Sequence, residues 1–289
     1  MYSMSGTSPL RVGGIDYLNA LPLLYGLSDD GGEPPFEVSH HVPSRLASML
    51  RADELDVALV PVVEYPERDD YVIVPAVGIS SYGGVHSIRL FHRKPLRASR
   101  RVALDACSRT SQLLTRLLFR EVWGAEPEFV EMEPGEVLRS CESGSLDAAL
   151  LIGDAALRGG LLPGWDVVDL GTEWTRWTGL PFVYAFWVAR STPGKSASAD
   201  RNASLVSRFV KARDAGLAHV DEIVEHAELP EGMSAGDALR YLGHLIHYDL
   251  GDDKLAALRL FFERLGACSL LPQGRCELRF IPRPAEAPS

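Results

Sequence analysis

A pattern of strand, helix and strand occurs twice in this chain, and the second copy begins 91 residues after the first. Residues 43–59 align without a gap with residues 134–150. In each copy a proline stands at the first turn of an amphipathic helix, where its missing N–H would be unpaired anyway. A buried strand follows, and in both copies it begins at a Leu-Asp pair. The repetition predicts two βαβ lobes whose parallel sheets carry helices on both faces.

The order of the predicted elements makes the second lobe an insertion into the first. Three strands are predicted in each half, at 10–15, 36–42, 56–60, 101–105, 128–132 and 147–152. A strand at 87–91 precedes the crossing into the second lobe, and an apolar strand that ends near Trp187 precedes the return. We therefore assign residues 1–92 and 188–289 to lobe one and residues 93–187 to lobe two. The sequence thus predicts an α/β fold with a central cleft between two lobes, the architecture of a type 2 periplasmic-binding protein.

The charge and composition argue against several classes of partner. The chain has a formal net charge of −10 and no run of basic residues, which disfavours nucleic acid and anionic membrane surfaces. It has neither an unbroken apolar run of about 18 residues nor a basic start followed by an apolar run, so no membrane span and no signal peptide is predicted. The four cysteines lack Cys-x-x-Cys spacing and predict free thiols in a cytoplasmic protein without a metal site. The oligomeric state is left open, with a homodimer as one alternative.

The loop between the strand at 101–105 and the helix after it is the first candidate anion site. It contains Ser108, Arg109, Thr110 and Ser111, so hydroxyl groups and a guanidinium meet the start of a helix. The first N–H groups of a helix have no acceptor within the helix and carry partial positive charge, which favours an anion. Arg109 would add paired hydrogen bonds to a carboxylate. The alternative is an ordinary helix cap with Arg109 in solvent.

Loops at the ends of other strands are expected to face this site. The 91-residue offset places Asn19 at the equivalent position of the first lobe, and open α/β sheets bind ligands at the carboxyl ends of their strands. The ends of the third strands bring Glu64 and Asp154 to the same side. The glycine-rich loop at 82–87 is a second candidate anion site through its backbone and the Ser87 hydroxyl, with a plain turn as the alternative.

Five short motifs follow one another along the chain. They are Tyr-Leu-Asn-Ala-Leu-Pro-Leu at 17–23, Asp-Val-Ala-Leu-Val-Pro-Val-Val-Glu-Tyr at 56–65, Ser-Arg-Thr-Ser at 108–111, Leu-Ile-Gly-Asp at 151–154 and Trp-Thr-Gly-Leu-Pro-Phe at 177–182. In this order they resemble the menaquinone-biosynthesis chorismate dehydratase family. The resemblance implies a binding-protein fold used as a cytosolic enzyme without a cofactor. It also implies conversion of chorismate to 3-[(1-carboxyvinyl)oxy]benzoate with loss of water, the first step of the futalosine route to menaquinone.

The implied substrate determines which residues we assign to the site. Chorismate carries two carboxylates and so needs two anion sites. For catalysis we assign Asn19, Ser87 and Asp154. For substrate binding we assign Tyr17, Glu64, Ser108, Arg109, Thr110 and Ser111. The catalytic base stays open between the carboxylates of Asp154, Glu64 and Asp16 and the enolpyruvyl carboxylate of the substrate itself.

Two other functions are compatible with the same fold. The first is a non-catalytic solute-binding or sensor protein, which would return its ligand unchanged. The predicted absence of a signal peptide argues against a secreted transport component, and the acidic chain shows no DNA-binding module. The second is 1,4-dihydroxy-6-naphthoate synthase, a later enzyme of the same route, which would ignore chorismate. The Tyr-Leu-Asn and Ser-Arg-Thr-Ser motifs fit the dehydratase better.

Overall fold

The computed structural model describes residues 8–27, 31–32, 35–158, 162–191, 199–271 and 277–282. The strands in this part of the chain are β1 (Leu10–Ile15), β2 (Phe36–His41), β3 (Val57–Pro61), β4 (Tyr71–Ser81), β5 (Ile88–His92), β6 (Arg101–Asp105), β7 (Glu128–Met132), β8 (Ala148–Ile152), β9 (Asp166–Asp169) and β10 (Phe182–Arg190). They form two five-stranded sheets. The strand order is β2-β1-β3-β10-β4 in the first sheet and β7-β6-β8-β5-β9 in the second.

The internal repeat is visible in the strand pairing. β1 lies between β2 and β3, and β6 lies between β7 and β8, with all four pairs parallel. Val12 stands opposite Val57 in the first sheet, and Val102 stands opposite Ala148 in the second. The α/β fold with two βαβ units, predicted from the repeat, is therefore confirmed.

Each sheet also contains one strand that runs antiparallel to its neighbours. β10 pairs with β3 and β4, and β5 pairs with β8 and β9. The sheets that contain these two strands differ from the predicted boundaries at 92 and 188. β5 ends at residue 92 but lies in the second sheet, and β10 begins before residue 188 but lies in the first. A crossing strand fills a gap in the sheet that it enters and completes the hydrogen bonds of the strands on either side. That pairing is a tertiary feature, and the local sequence pattern does not contain it.

The α-helices are α1 (Leu21–Leu24), α2 (Pro43–Arg51), α3 (Arg109–Glu121), α4 (Pro134–Glu142), α5 (Gly153–Leu157), α6 (Leu170–Thr178), α7 (Ala199–Ala218), α8 (Val220–His226), α9 (Ala235–Arg240) and α10 (Asp252–Ala267). The amphipathic helices predicted in the two copies of the repeat and after β6 are present as α2, α4 and α3. His219 separates α7 from α8, and α9 continues into a π-helical turn at Tyr241–Leu245. Strand β4 and helix α5 were not predicted from the sequence.

Asp56 and Asp147, which the repeat relates to each other, anchor equivalent corners of the two sheets. Asp56 accepts hydrogen bonds from the Arg11 backbone N–H at 3.0 Å and from the Arg11 guanidinium at 2.9 Å. Asp147 accepts from the Arg100 backbone N–H at 2.9 Å and pairs with Lys94 Nζ at 2.7 Å. Burial raises the pKa of Asp56, but the hydrogen bonds from Arg11 outweigh burial and leave it lowered. The hydrogen bond from Lys94 lowers the pKa of Asp147.

We expect Asp56→Asn to lower the free energy of unfolding by about 1–2 kcal/mol at pH 7, because it weakens charge-assisted hydrogen bonds. A carboxyl whose pKa is lowered by folding stabilises fully above its ordinary pKa of 3.8, and this stabilisation is lost as the pH falls below that value. Urea unfolding between pH 7 and pH 3 should therefore show variant and wild type converging in acid. Glu126→Gln, at an exposed loop carboxylate, is the control. An Asp56→Asn deficit that stays constant over this range would contradict the explanation.

Candidate functional site

The ends of strands from both sheets meet around one cavity of about 420 Å³. The carboxyl ends of β1, β3 and β8 reach the cavity, and the amino end of β5 reaches it because β5 runs antiparallel to β8. The residues that line the cavity are Ile15, Tyr17, Asn19, Pro43, Pro61, Ile79, Ser87, Ile88, Ser108, Ser111, Ile152, Gly153, Tyr184 and Ala185. Five of the predicted site residues are therefore brought together, namely Tyr17, Asn19, Ser87, Ser108 and Ser111.

The start of α3 forms one side of the cavity. Ser108 is extended, with φ −141°, and its Oγ accepts a hydrogen bond from the Ser111 backbone N–H at 3.5 Å. The N–H groups of Arg109 and Thr110 have no acceptor within the helix. The Thr110 hydroxyl does not line the cavity, because it is buried and accepts from the Val63 backbone N–H at 3.4 Å. Ser108 is thus a helix cap, as in the simpler alternative, and the capped helix start also faces the cavity.

Asp105, at the end of β6, holds the loop before α3 in place. Its buried carboxylate accepts hydrogen bonds from the backbone N–H groups of Cys107 at 2.9 Å and Ile152 at 3.1 Å. Burial raises the pKa of Asp105. Burial, together with the Asp105 carboxylate, also raises the pKa of the Cys107 thiol to about 12. Cys107 is therefore protonated near neutral pH and serves as a packing residue, not as a nucleophile.

Two buried polar atoms on the cavity wall lack a hydrogen-bond partner among the described residues. They are Asn19 Oδ1 and Ser87 Oγ. The Ser87 residue is only 1% exposed, and its carbonyl oxygen accepts from the Gly153 N–H at 2.8 Å, which fixes its backbone. An unsatisfied buried polar group costs about 1–3 kcal/mol. Two such groups on one cavity wall indicate a ligand that supplies their missing hydrogen bonds.

Two buried tyrosines near these atoms were missed by the sequence analysis. Tyr184 lines the cavity, and its hydroxyl lies 2.9 Å from Ser81 Oγ. Burial raises the pKa of Tyr241, while the nearby Ser87 and Asn19 side chains offset part of that rise. Tyr184 could have been recognised from the sequence, because it is a phenol within the apolar strand β10. Tyr241 comes from a distant π-helical turn, and no local motif connects it with the site.

Asp154 lies next to the cavity but not on its wall. Its Oδ1 accepts a hydrogen bond from the Leu18 backbone N–H at 3.1 Å. This bond ties the end of β8 to the loop that carries Asn19. Burial raises the pKa of Asp154, and the hydrogen bond from Leu18 opposes that rise.

Arg109 and Glu64 contact each other instead of lining the cavity. Arg109 Nη1 lies 3.2 Å from Glu64 Oε1 and 2.9 Å from Glu67 Oε1. Glu64 is buried and also pairs with Arg51. In this structure the Arg109 guanidinium is paired with protein carboxylates, and its predicted grip on a substrate carboxylate stays a prediction. The ion-pair network joins the segment after β3 to the start of α3.

The glycine-rich loop at 82–87 offers less to a ligand than its sequence predicts. The Gly83 N–H donates to Thr175 Oγ1 at 2.9 Å, and the His86 N–H donates to Asp169 Oδ2 at 2.6 Å. These two backbone groups are already satisfied within the protein, so an anion site at this loop would rest on the Ser87 hydroxyl. Only the Ser87 hydroxyl of this loop faces the cavity.

The structure also bears on metals, thiols and membranes. Within the described ranges, no group of three or more His, Cys, Asp or Glu side chains is placed to hold a metal ion. Cys107, Cys141 and Cys268 are free thiols, and Cys276 lies outside the described residues. Among the helices of the described chain, none has the length and apolar character needed to cross a membrane.

Sequence comparisons match most of the chain to one protein family and to two enzymes. A family described as menaquinone biosynthesis matches residues 10–267, which include the whole cavity wall. A chorismate dehydratase from Thermus thermophilus is 32% identical over 268 residues, covering 86% of this chain and 93% of that protein. A 1,4-dihydroxy-6-naphthoate synthase from Streptomyces coelicolor is 28% identical over 244 residues, covering 83% of this chain and 86% of that protein.

A structural comparison identifies the fold. The crystal structure of the periplasmic aliphatic sulphonate binding protein SsuA from Escherichia coli matches with a TM-score of 0.64 at 15% identity. The match covers 98% of this chain and 96% of that one. At this identity the likeness concerns the fold alone. The predicted periplasmic-binding-protein fold, with its cavity between two sheets, is confirmed.

Proposed function

Because this chain belongs to the menaquinone biosynthesis family, we propose that it is a chorismate dehydratase. It converts chorismate to 3-[(1-carboxyvinyl)oxy]benzoate and water, as a hydro-lyase at the first step of the futalosine route. Its dehydratase relative is more similar to it than its naphthoate synthase relative. The proposed partner is this small dicarboxylate. The cytoplasmic location, the homodimer and the absence of nucleic-acid and membrane partners stay predictions.

One observation carries the proposal, namely the unpaired Asn19 Oδ1 and Ser87 Oγ atoms in a cavity that also contains the start of α3. Chorismate has complementary groups. A carboxylate suits the free N–H groups and hydroxyls at the helix start. The ring hydroxyl of chorismate can donate to Asn19 Oδ1 and accept from the Ser87 hydroxyl.

The proposed reaction removes a proton from the ring carbon that carries the ether and a hydroxyl from the neighbouring carbon. The electron pair of the C–H bond becomes a ring double bond as the C–O bond breaks, and the hydroxyl takes up a proton and leaves as water. Formation of an aromatic ring supplies the driving force. The protein therefore has to hold the ring in position and stabilise the departing hydroxyl, which we assign to Asn19 and Ser87.

The enolpyruvyl carboxylate of the substrate is the proposed base. Glu64 is paired with arginines, Asp16 is exposed, and Asp154 is bonded to the Leu18 N–H, and none of the three lines the cavity. The substrate carboxylate is bonded to the vinyl carbon that carries the ether oxygen and can therefore reach the neighbouring C–H bond of the ring, so proton transfer within the substrate needs no further group. Asp154 then acts as a positioning residue for the loop that carries Asn19.

We expect Asp154→Asn to keep kcat within about tenfold of wild type, because the amide oxygen still accepts from the Leu18 N–H, whereas loss of a general base typically costs about 10²–10⁴-fold. Asp154→Ala removes that acceptor and should reduce kcat further. Steady-state formation of the benzoate product measures both variants. Loss of turnover in Asp154→Asn, with folding and substrate binding intact, would make Asp154 the base.

The activity itself is tested by incubating purified protein with chorismate, without added metal or nucleotide, and analysing the mixture by mass spectrometry. We expect a product lighter by one water with a benzoate-type ultraviolet spectrum. Chorismate recovered unchanged from folded protein would overturn the proposal. Conversion of a cyclised futalosine derivative instead would identify a naphthoate synthase.

A further inference from the structure

A second cavity, of about 560 Å³, lies on the other side of Tyr241 from the candidate site. One side is formed by the start of β5 and the end of α5, and the other by α9 and the π-helical turn. The two cavities share no lining residue. His86 and Ser87 are adjacent in the chain but face different cavities, with His86 in the second and Ser87 in the first.

Two arginines line this second cavity without a carboxylate partner. Arg89 is half-buried, and its Nη1 donates to the carbonyl oxygen of Ala156 at 3.2 Å. Across the described residues, neither Arg89 nor Arg240 lies within salt-bridge distance of an acidic side chain. Most arginines with a carboxylate at hand form such a pair, as Arg109 does with Glu64 in this chain. Two guanidinium groups in one cavity therefore leave hydrogen-bond donors for an external anion.

The acidic groups nearby are already engaged. Asp169 accepts from the backbone N–H groups of His86 at 2.6 Å and Thr172 at 3.0 Å. Asp237 forms a capping box with Ser234, at 2.6 Å between Asp237 Oδ2 and the serine Oγ. Neither carboxylate neutralises the arginines through a direct contact. Asp237 itself lines the cavity, and Asp169 lies close enough to act on Arg89 electrostatically. Two arginines nevertheless face a single lining carboxylate among the described residues, which leaves an excess of positive charge on the wall of a chain with a net charge of −10.

Besides the two arginines, His86 and Asp237, the cavity wall is largely apolar. Leu157, Met233 and Leu245 contribute aliphatic or thioether surface, and Tyr241 contributes its ring. A cavity with cationic donors and apolar walls suits an anion with a hydrophobic body, because the charge meets the arginines and the body displaces water from the walls. Inorganic anions would use the arginines but not the apolar surface.

We propose that this second cavity is a binding site for a small aromatic carboxylate, held by Arg89 and Arg240. The site is separate from the cavity that contains Asn19 and Ser87. Tyr241 forms the partition between them, so an occupant of the second site rests against the residue whose hydroxyl lies beside Asn19 and Ser87. The inference concerns binding alone and does not depend on turnover of chorismate.

The test is isothermal titration calorimetry of the full chain with benzoate in a buffer free of phosphate and sulfate. We expect wild type to bind benzoate and Arg89→Met and Arg240→Met each to weaken the affinity about tenfold or more. Arg97→Met, an exposed arginine outside both cavities, removes the same charge and should leave the affinity unchanged. Thermal unfolding of each variant establishes that it is folded.

Ser87→Ala tests whether benzoate binds in the second cavity or in the candidate site. We expect its benzoate affinity to remain within about twofold of wild type, since Ser87 does not line the second site. Wild type that fails to bind benzoate, or equal affinity in wild type and both arginine variants, would overturn the proposal. Loss of benzoate binding in Ser87→Ala but not in the arginine variants would place the probe in the candidate site and also overturn it. Each of these outcomes can be interpreted even if the protein does not dehydrate chorismate.

Discussion

Ser87→Ala should lower kcat for chorismate by about 100-fold or more and leave the protein folded. Removal of one preorganised hydrogen-bonding group that acts on a developing charge typically costs about 10²–10³-fold in rate. The Ser87 hydroxyl has no partner at full hydrogen-bond geometry in the described structure, although the Tyr241 hydroxyl lies beside it, so its loss removes only a weak internal contact. The substitution removes one oxygen atom and keeps the β-carbon, so the backbone bond between the Ser87 carbonyl and the Gly153 N–H is retained.

Ser99→Ala is the matched control for this experiment. Ser99 is also buried, and its hydroxyl also lacks a partner among the described residues, but it precedes β6 and lies outside the cavity. Its kcat should equal that of wild type. Steady-state kinetics and thermal unfolding measure both variants. Full activity in Ser87→Ala, or equal losses in the two variants, would show that the unpaired hydroxyl on the cavity wall has no special part in the reaction.

Gly216→Ala should lower the free energy of unfolding by about 3 kcal/mol, the largest effect on stability that we expect from a single added methyl group. Gly216 lies in α7, where a β-carbon would stand 1.9 Å from the carbonyl oxygen of Pro22. That neighbour is backbone, so no side-chain rotation can relieve the clash. Helix α1, which contains Pro22, must move away from α7.

The same substitution should reduce turnover, because α1 follows directly after the loop that carries Asn19. Gly243→Ala is the control, since a β-carbon there meets no atom within 4 Å. Urea unfolding and steady-state kinetics measure both proteins. A Gly216→Ala protein as stable as Gly243→Ala would show that α1 and α7 do not pack as closely as the structure indicates.

The regular part of the fold could be predicted from the sequence because its signals are local. Strands β1, β6 and β7 begin and end where the apolar patterns place them. The repeat then fixed the parallel order around β1 and β6. The antiparallel insertion of β5 and β10 could not be predicted, because a strand's own residues carry no information on which sheet it joins.

The candidate site also has a part that local sequence signals predict and a part that depends on distant contacts. Asn19, Ser87 and Ser108 could be placed together because each follows or precedes a predicted strand at the ligand-binding edge of the sheets. Arg109 is predicted to bind a ligand because its sequence neighbours suit an anion, whereas its contacts with Glu64 and Glu67, more than 40 residues away, could not be predicted. Contacts between residues so far apart are set by packing of the two halves.

The most direct measurement is a crystal structure of this protein with 3-[(1-carboxyvinyl)oxy]benzoate bound. We expect the product in the cavity between the two sheets, with its ring carboxylate at the start of α3. Asn19 Oδ1 and Ser87 Oγ should each lie within about 3.5 Å of a polar atom of the product or of a water released beside it. Product found only in the cavity beside Arg89 and Arg240, or elsewhere on the surface, with Asn19 and Ser87 still unpaired, would contradict the assignment of the active site.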